Sequence, residues 1–372
     1  MKIKSYLPVL VLAIIAFSSS CKKDTKQPEP TPEPTTPSYT VPTEYNFTNV
    51  NYSGQTTRLD MVAEIKTYMN TGNTLGTVLN AQKMKDMYAN LNSAFTNTAL
   101  NVSGKDIKSK VFLSDQTLFE TYMDYLASAS QSTVNGSNGT AGVVVSSTDA
   151  SKKYLCDANG IEWTQVIEKG LMGSLMYYQT TAFYLDASQT GNSVDNTTVI
   201  AGEGTNMEHH WDEGFGYFGV PVNFPASTTG IRFWGKYCND RNAVLSTNAA
   251  IMNAFLKGRA AISNKDYSTR DAQVVIIRDT WEKVLASTII SYANATKLKL
   301  TDDGIRNHNL SEIKGFLMNL KCNPTKKISM TEITDLENLL GTNFYNITSN
   351  NLDQIKDKLS TIYGLDNVKN SL

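Results

Sequence analysis

The sequence predicts an all-α fold of long antiparallel helices, and three observations carry that prediction. Apolar residues recur at helical spacing over most of the chain from about Arg58 onward, strand-like runs are scarce, and no repeat of fixed period points to a solenoid. From Asp115, Leu118, Tyr122, Tyr125 and Leu126 mark one stripe. In "GLMGSLMYYQTTAFYL", Leu171, Leu175, Tyr178, Ala182 and Leu185 fall at i, i+4, i+7, i+11 and i+14, a core-facing pattern. "VVIIRDTWEKVLASTIISYA" repeats it with Ile277, Trp281, Val284, Thr288 and Tyr292. Ser329 and Glu332 in "SMTE" predict a capping box, and Gly341 a stop after "NLL". The strand-like exception is Ala141 to Ser147, inside a loop rich in Gly, Ser and Asn spanning 127–152; a second such loop spans 186–198.

The N-terminal region has a different character. Lys2 and Lys4 precede an apolar run from Tyr6 to Phe17 and then small residues, the layout of a secretory signal over residues 1–20. Cys21 follows directly, as in a bacterial lipobox, so Cys21 is the expected lipidation site and the membrane an expected partner through its acyl chains. Prolines at 28, 30, 32, 34 and 37 alternate with Glu and Thr, which makes 21–40 an extended spacer and 41–372 the folded domain. The expected location is the cell envelope, at the outer membrane.

Composition removes several function classes. The 372 residues carry 34 Lys and Arg against 35 Asp and Glu, with no basic patch of the kind that binds nucleic acid. Cys156, Cys238 and Cys322 lack CxxC spacing, which excludes a zinc knuckle or redox pair, although a disulfide between two of them is compatible with an oxidising compartment. HExxH, GxSxG and P-loop motifs are absent.

The chemistry concentrates around the three histidines. Plotted at 3.6 residues per turn, Glu203, Asn206, His210, Glu213 and Tyr217 share one polar sector, flanked by His209, opposite Met207, Trp211 and Phe218. No Lys or Arg occurs between Gly170 and Ile231, while Asp186, Asp195, Glu203, Glu208, Asp212 and Glu213 are all acidic. Uncompensated carboxylates beside imidazoles suit Fe, Zn or Mn, and His210 with Glu213 at i and i+3 can address one ion from one helix. A second pair, His308 and Glu312 at i and i+4, shares a face with Gly315 and Asn319, opposite Leu310, Ile313, Leu317 and Leu320. Each face can equally be a hydrogen-bonded network or plain surface.

With these residues in place, His210-Trp-Asp-Glu213 resembles the His-x-x-Glu motif of the imelysin-like proteins. "SGQTTRLDMVAEIKTYM", "GIEWTQVIEKGLMGSLMYYQ", "EHHWDEGFGYFG", "AFLKGRAAI" and "HNLSEIKGFLMNL" together resemble an uncharacterised family of Bacteroidetes lipoproteins related to imelysins, over roughly residues 45–365. That resemblance implies two packed helical bundles and a metal ion at His210 and Glu213. Glu208 stands where imelysins have Gly, and Gly216 and Gly219 depart from their glycine spacing, which speaks against peptidase activity more than against a cation.

The leading expectation is a lipid-anchored protein that binds a divalent metal, Fe or Zn, through His210, Glu213, His308 and Glu312. Glu203, Asn206, His209 and Tyr217 stand as supporting or alternative ligands, and an envelope or metal-uptake protein as partner. The alternatives are a metal-dependent peptidase with Glu213 as general base and a metal-free interaction module.

Overall fold

Capping residues and apolar stripes divide the chain into thirteen α-helices and one hairpin in the computed structural model, which describes residues 38–372. The expected signal peptide, Cys21 and the spacer up to residue 37 lie outside the described residues. The first helices are α1 (Ser53–Asn70), α2 (Ala81–Ala89), α3 (Thr98–Asn101) and α4 (Gln116–Ala129). A hairpin follows, with β1 (Gly142–Val145) antiparallel to β2 (Lys153–Cys156) and Val143 opposite Leu155. The middle of the chain forms α5 (Trp163–Leu171), α6 (Ala187–Thr190), α7 (Asn206–Gly216), α8 (Trp234–Leu245) and α9 (Thr247–Ser263). The last third forms α10 (Tyr267–Lys297), α11 (Asp303–Asn319), α12 (Met330–Leu340) and α13 (Ser349–Tyr363). Among the described residues no helix is long and apolar enough to cross a membrane.

Local chemistry explains many of these boundaries. Thr205, Asp302, Ser329 and Thr348 each accept a backbone N–H from the first turn of α7, α11, α12 and α13, satisfying donors that a helix start leaves bare. The capping box of Ser329 with Glu332 forms as its spacing predicts, and Gly341, at φ 72°, ends α12. In α10 the stripe of Ile277, Trp281, Val284 and Thr288 is buried, with Tyr292 at its edge. In α4 the buried line is instead Phe119, Met123 and Leu126; Leu118 and Tyr122 are half-buried and Tyr125 is 48% exposed. Alternating apolar residues on both sides of that helix left its phase open by one position.

The largest departure follows α5. The rod continues as two π-helical segments, Met172–Tyr177 and Gln179–Tyr184. Their i to i+5 turns are wider than the 3.6-residue period, so the predicted stripe drifts off the core at Tyr178 and Ala182, while Thr180 and Tyr184 turn inward. One continuous apolar cluster runs from Tyr45 to Leu365. Trp211, Trp234 and Trp281 are fully buried within it. Cys156, Cys238 and Cys322 are buried free thiols, so the disulfide allowed by composition does not form among them.

Candidate functional site

Helix α1 runs past two polar pockets, one at its N-terminal end and one near its C-terminal end. The first forms where α1 meets α7, because Gly216 lets the two backbones close up: a Cβ there would sit 2.6 Å from Tyr52 Cβ and 3.0 Å from Gln55 Cβ. Glu213 Oε1 accepts from Gln55 Nε2 at 2.8 Å and from the Tyr184 hydroxyl at 3.1 Å. Burial first, then the charge of Glu213, pushes the Tyr184 phenol well above its ordinary pKa, so it stays a donor. His209 Nε2 lies 3.8 Å from Glu213 Oε2. A cavity of about 180 Å³ opens beside them, its cationic wall made of Arg58, Lys105 and Lys110, its acidic wall of Glu203 and Glu213.

This arrangement corrects the helical-wheel reading in three ways. Helix α7 starts at Asn206, so Glu203 sits in the preceding turn and Asn206 is exposed. His209 rather than His210 lines the cavity with Glu213, while His210 Nδ1 turns to the Gln189 carbonyl at 2.7 Å. Tyr217 is fully buried against the Tyr184 ring, 6.3 Å between centroids. The acidic segment is also not uncompensated. Arg259 of α9 donates through Nη1 to Glu208 at 2.6 Å and through Nε to Asp212 at 2.9 Å, a neutralisation that a count over residues 170–231 cannot register.

The second pocket belongs to α11. Gly315 brings α11 against α5 so closely that a Cβ would stand 2.6 Å from Lys169 Cβ. His308 lies under the Tyr154 ring of β2, centroids 4.4 Å apart, between two carboxylates: Nδ1 is 2.6 Å from Glu162 Oε2 and Nε2 is 3.4 Å from Glu312 Oε1. Lys169 Nζ lies 2.8 Å from Glu168 and 3.6 Å from Glu312, and Lys66 reaches Glu168 at 2.7 Å. Gln165, its amide nitrogen facing the carboxylates, donates to Glu168 at 3.2 Å and Glu312 at 3.3 Å. Glu162, Glu168 and Glu312 thus face Lys66, Lys169 and a protonated His308, so the cluster balances its own charge.

The titration behaviour follows from that packing. Burial alone would lower the His308 pKa, but Glu162 and then Glu312 outweigh it and hold the value at about 10. Burial would raise Glu312, yet Lys169 and His308 pull it down to about 2. Lys169 is likewise raised, the charges of Glu168 and Glu312 overcoming its desolvation.

The predicted ligand set does not assemble. His210 and Glu213 turn to different partners, and His308, with a carboxylate at each ring nitrogen, presents N–H donors where a metal needs a lone pair. Among the described residues no three His, Cys, Asp or Glu side chains are grouped so as to hold a metal ion. These residues do not fit the ion that the resemblance implies. Lys66, Glu162, Gln165, Glu168 and Lys169 were not visible as site residues in the sequence, although Glu162 at the N-cap of α5 and Gln165 and Glu168 within it, three apart, carried a signal.

One family model matches residues 38–366, nearly the whole of the helical domain just described. The chain belongs to the family described as "Domain of unknown function (DUF4856)". No curated protein matches it, and no solved structure does. In this DUF4856 domain, then, the two pockets along α1 stand as the candidate sites on their own geometry.

Proposed function

We propose that the chain is a non-catalytic, lipid-anchored binding protein of the cell envelope, and that the pocket between α1 and α7 takes a small ligand bearing a carboxylate or phosphate. One observation carries this reading: Arg58, Lys105 and Lys110 line a single cavity, and none has a carboxylate partner among the described residues. Arg58 gives its Nε to the Asp106 carbonyl, and Lys110 lies 5.9 Å over the Phe183 ring. The first turn of α1, Ser53 to Gln55, brings the positive end of the helix dipole to the same wall. At about 180 Å³ the cavity is below the range of about 300–1,000 Å³ typical of drug-sized ligands, which favours a compact anion. A protonated amine on the same ligand would meet Glu203 and Glu213.

Titration calorimetry with inorganic phosphate, acetate and glycine tests the reading and separates its ligand sources. Binding of at least one is expected, weakened about tenfold in Lys105→Ala/Lys110→Ala, in line with the loss of charge-assisted hydrogen bonds. No heat from any of the three, or equal affinity in the variant, would end it. The anchor rests on the sequence of residues 1–37; Cys21→Ser should move the protein from the membrane to the soluble fraction, and unchanged partitioning would remove that half of the proposal.

A further inference from the structure

We infer that the larger cavity beside α11 is a second, independent site, for a neutral polyhydroxylated ring such as a hexose or the terminal unit of an oligosaccharide. The cavity measures about 630 Å³, inside the usual range of about 300–1,000 Å³ for small-molecule sites. Lys169, Glu312 and Tyr237, only 4%, 5% and 7% exposed, form its floor, and Tyr292 of α10 borders them.

Glu312 is the informative residue. The other carboxylates of the cluster have partners at 2.6–2.8 Å, whereas Glu312, which Tyr292 also approaches, has only long contacts: Gln165 at 3.3 Å, His308 at 3.4 Å, the Tyr237 hydroxyl at 3.4 Å and Lys169 at 3.6 Å. The hydroxyls of Tyr237 and Tyr292 are also 3.4 Å apart. A buried carboxylate ordinarily holds short hydrogen bonds, because leaving one under-solvated is costly. The donors that reach Glu312 from the cavity side, Tyr237 and Lys169, do so only at these long distances, which leaves room for a closer donor there.

Charge then selects the donor. The cations of the lining, Lys66, Lys169, Arg232 and Lys236, are balanced by Glu168, Glu312, Asp60 and Asp240, so the site carries no surplus of either sign to draw in a charged ligand. An anion finds no uncommitted cation, since Lys66 and Lys169 hold Glu168, Arg232 holds Asp60 at 2.5 Å and Lys236 holds Asp240 at 2.7 Å. Neutral hydroxyls remain. Met172, Ile231 and Phe233 supply the apolar wall against which the C–H face of a sugar ring can lie. Phe233 is held there at φ 48°, ψ −118°, a backbone state a bulky residue rarely adopts, and such strain concentrates at ligand sites.

The test is saturation-transfer NMR and calorimetry on the full chain with glucose, galactose, mannose and N-acetylglucosamine, with glucosamine and glucuronate as charged comparators. At least one neutral sugar should bind, and Tyr292→Phe and Glu312→Gln should each weaken it by about tenfold, the scale of one lost hydrogen bond to a charged or coupled group. Glu312→Gln also disturbs the pairing of His308, so Tyr292→Phe, which leaves the ion pairs intact, keeps the test decisive. The proposal is overturned if no neutral sugar shows saturation transfer, if a charged comparator binds more tightly, or if affinity is indifferent to both substitutions. The phosphate titration reports on the other pocket, so either site can fail alone.

Discussion

The α7 and α11 ends of the molecule each set a histidine and a glutamate one helical turn apart, yet they use them in opposite ways. At α7, Glu213 is bound by neutral donors, Gln55 and Tyr184, and the cations across the cavity are left without carboxylates. At α11, every cation is matched to a carboxylate and His308 is locked as an imidazolium. The difference lies in what packs opposite each pair. Helix α5 and its N-cap bring Glu162, Glu168 and Lys169 to α11, whereas α1 brings an amide to α7. The same local motif becomes a pocket wall held by neutral donors in one place and part of a charge-matched cluster in the other.

Stability should expose that contrast most sharply. Lys169→Ala would leave buried Glu168 to Lys66 alone and Glu312 to His308 alone, at a cost of about 3 kcal/mol, the lower end for broken buried ion pairs. Glu213→Ala removes only neutral-donor hydrogen bonds at a half-buried site, at a cost of about 1 kcal/mol. Urea unfolding of both variants checks this, and equal losses would erase the distinction between the two ends.

A separate effect follows from protonation. The His308 pKa, about 10, lies above its ordinary value of 6.5, so its stabilisation is fully present below pH 6.5 and fades as pH rises toward 10. Glu312, held at about 2, contributes fully above its ordinary 4.5 and loses that contribution as pH falls toward 2. In Glu162→Gln the His308 pKa should drop toward the ordinary range, and imidazole C–H NMR is readable because the chain has only three histidines. Titration of His308 near 6.5 in the unaltered protein would show that the lock is not closed.

Much of the scaffold was legible because it is written locally. The α10 stripe and the Ser329 capping box depend on residues within one turn of each other, and both appear as their spacing predicts. The sites were less legible because their partners are distant in sequence. Arg259 neutralises Glu208 and Asp212 from about fifty residues away, and Glu162 holds His308 across an interval of 146 residues. The swap between His209 and His210 had a different cause. Adjacent residues differ by about 100° around a helix, so the polar sector alone could not say which imidazole the pocket at α1 would meet.

The π-helical run between Met172 and Tyr184 acquires its meaning from this geometry. It belongs to one rod that carries Glu162, Glu168 and Lys169 toward α11 at one end and Thr180 and Tyr184 toward α7 at the other. Each wide turn works as a vernier, offsetting the angular phase of everything beyond it. Thr180 meets the Gly214 carbonyl and Tyr184 meets Glu213 because of that offset; with α-helical winding the far end would be clocked to a different face. The two pockets are therefore indexed to each other by backbone winding, and the spacing of residues inside the run matters as much as their identity.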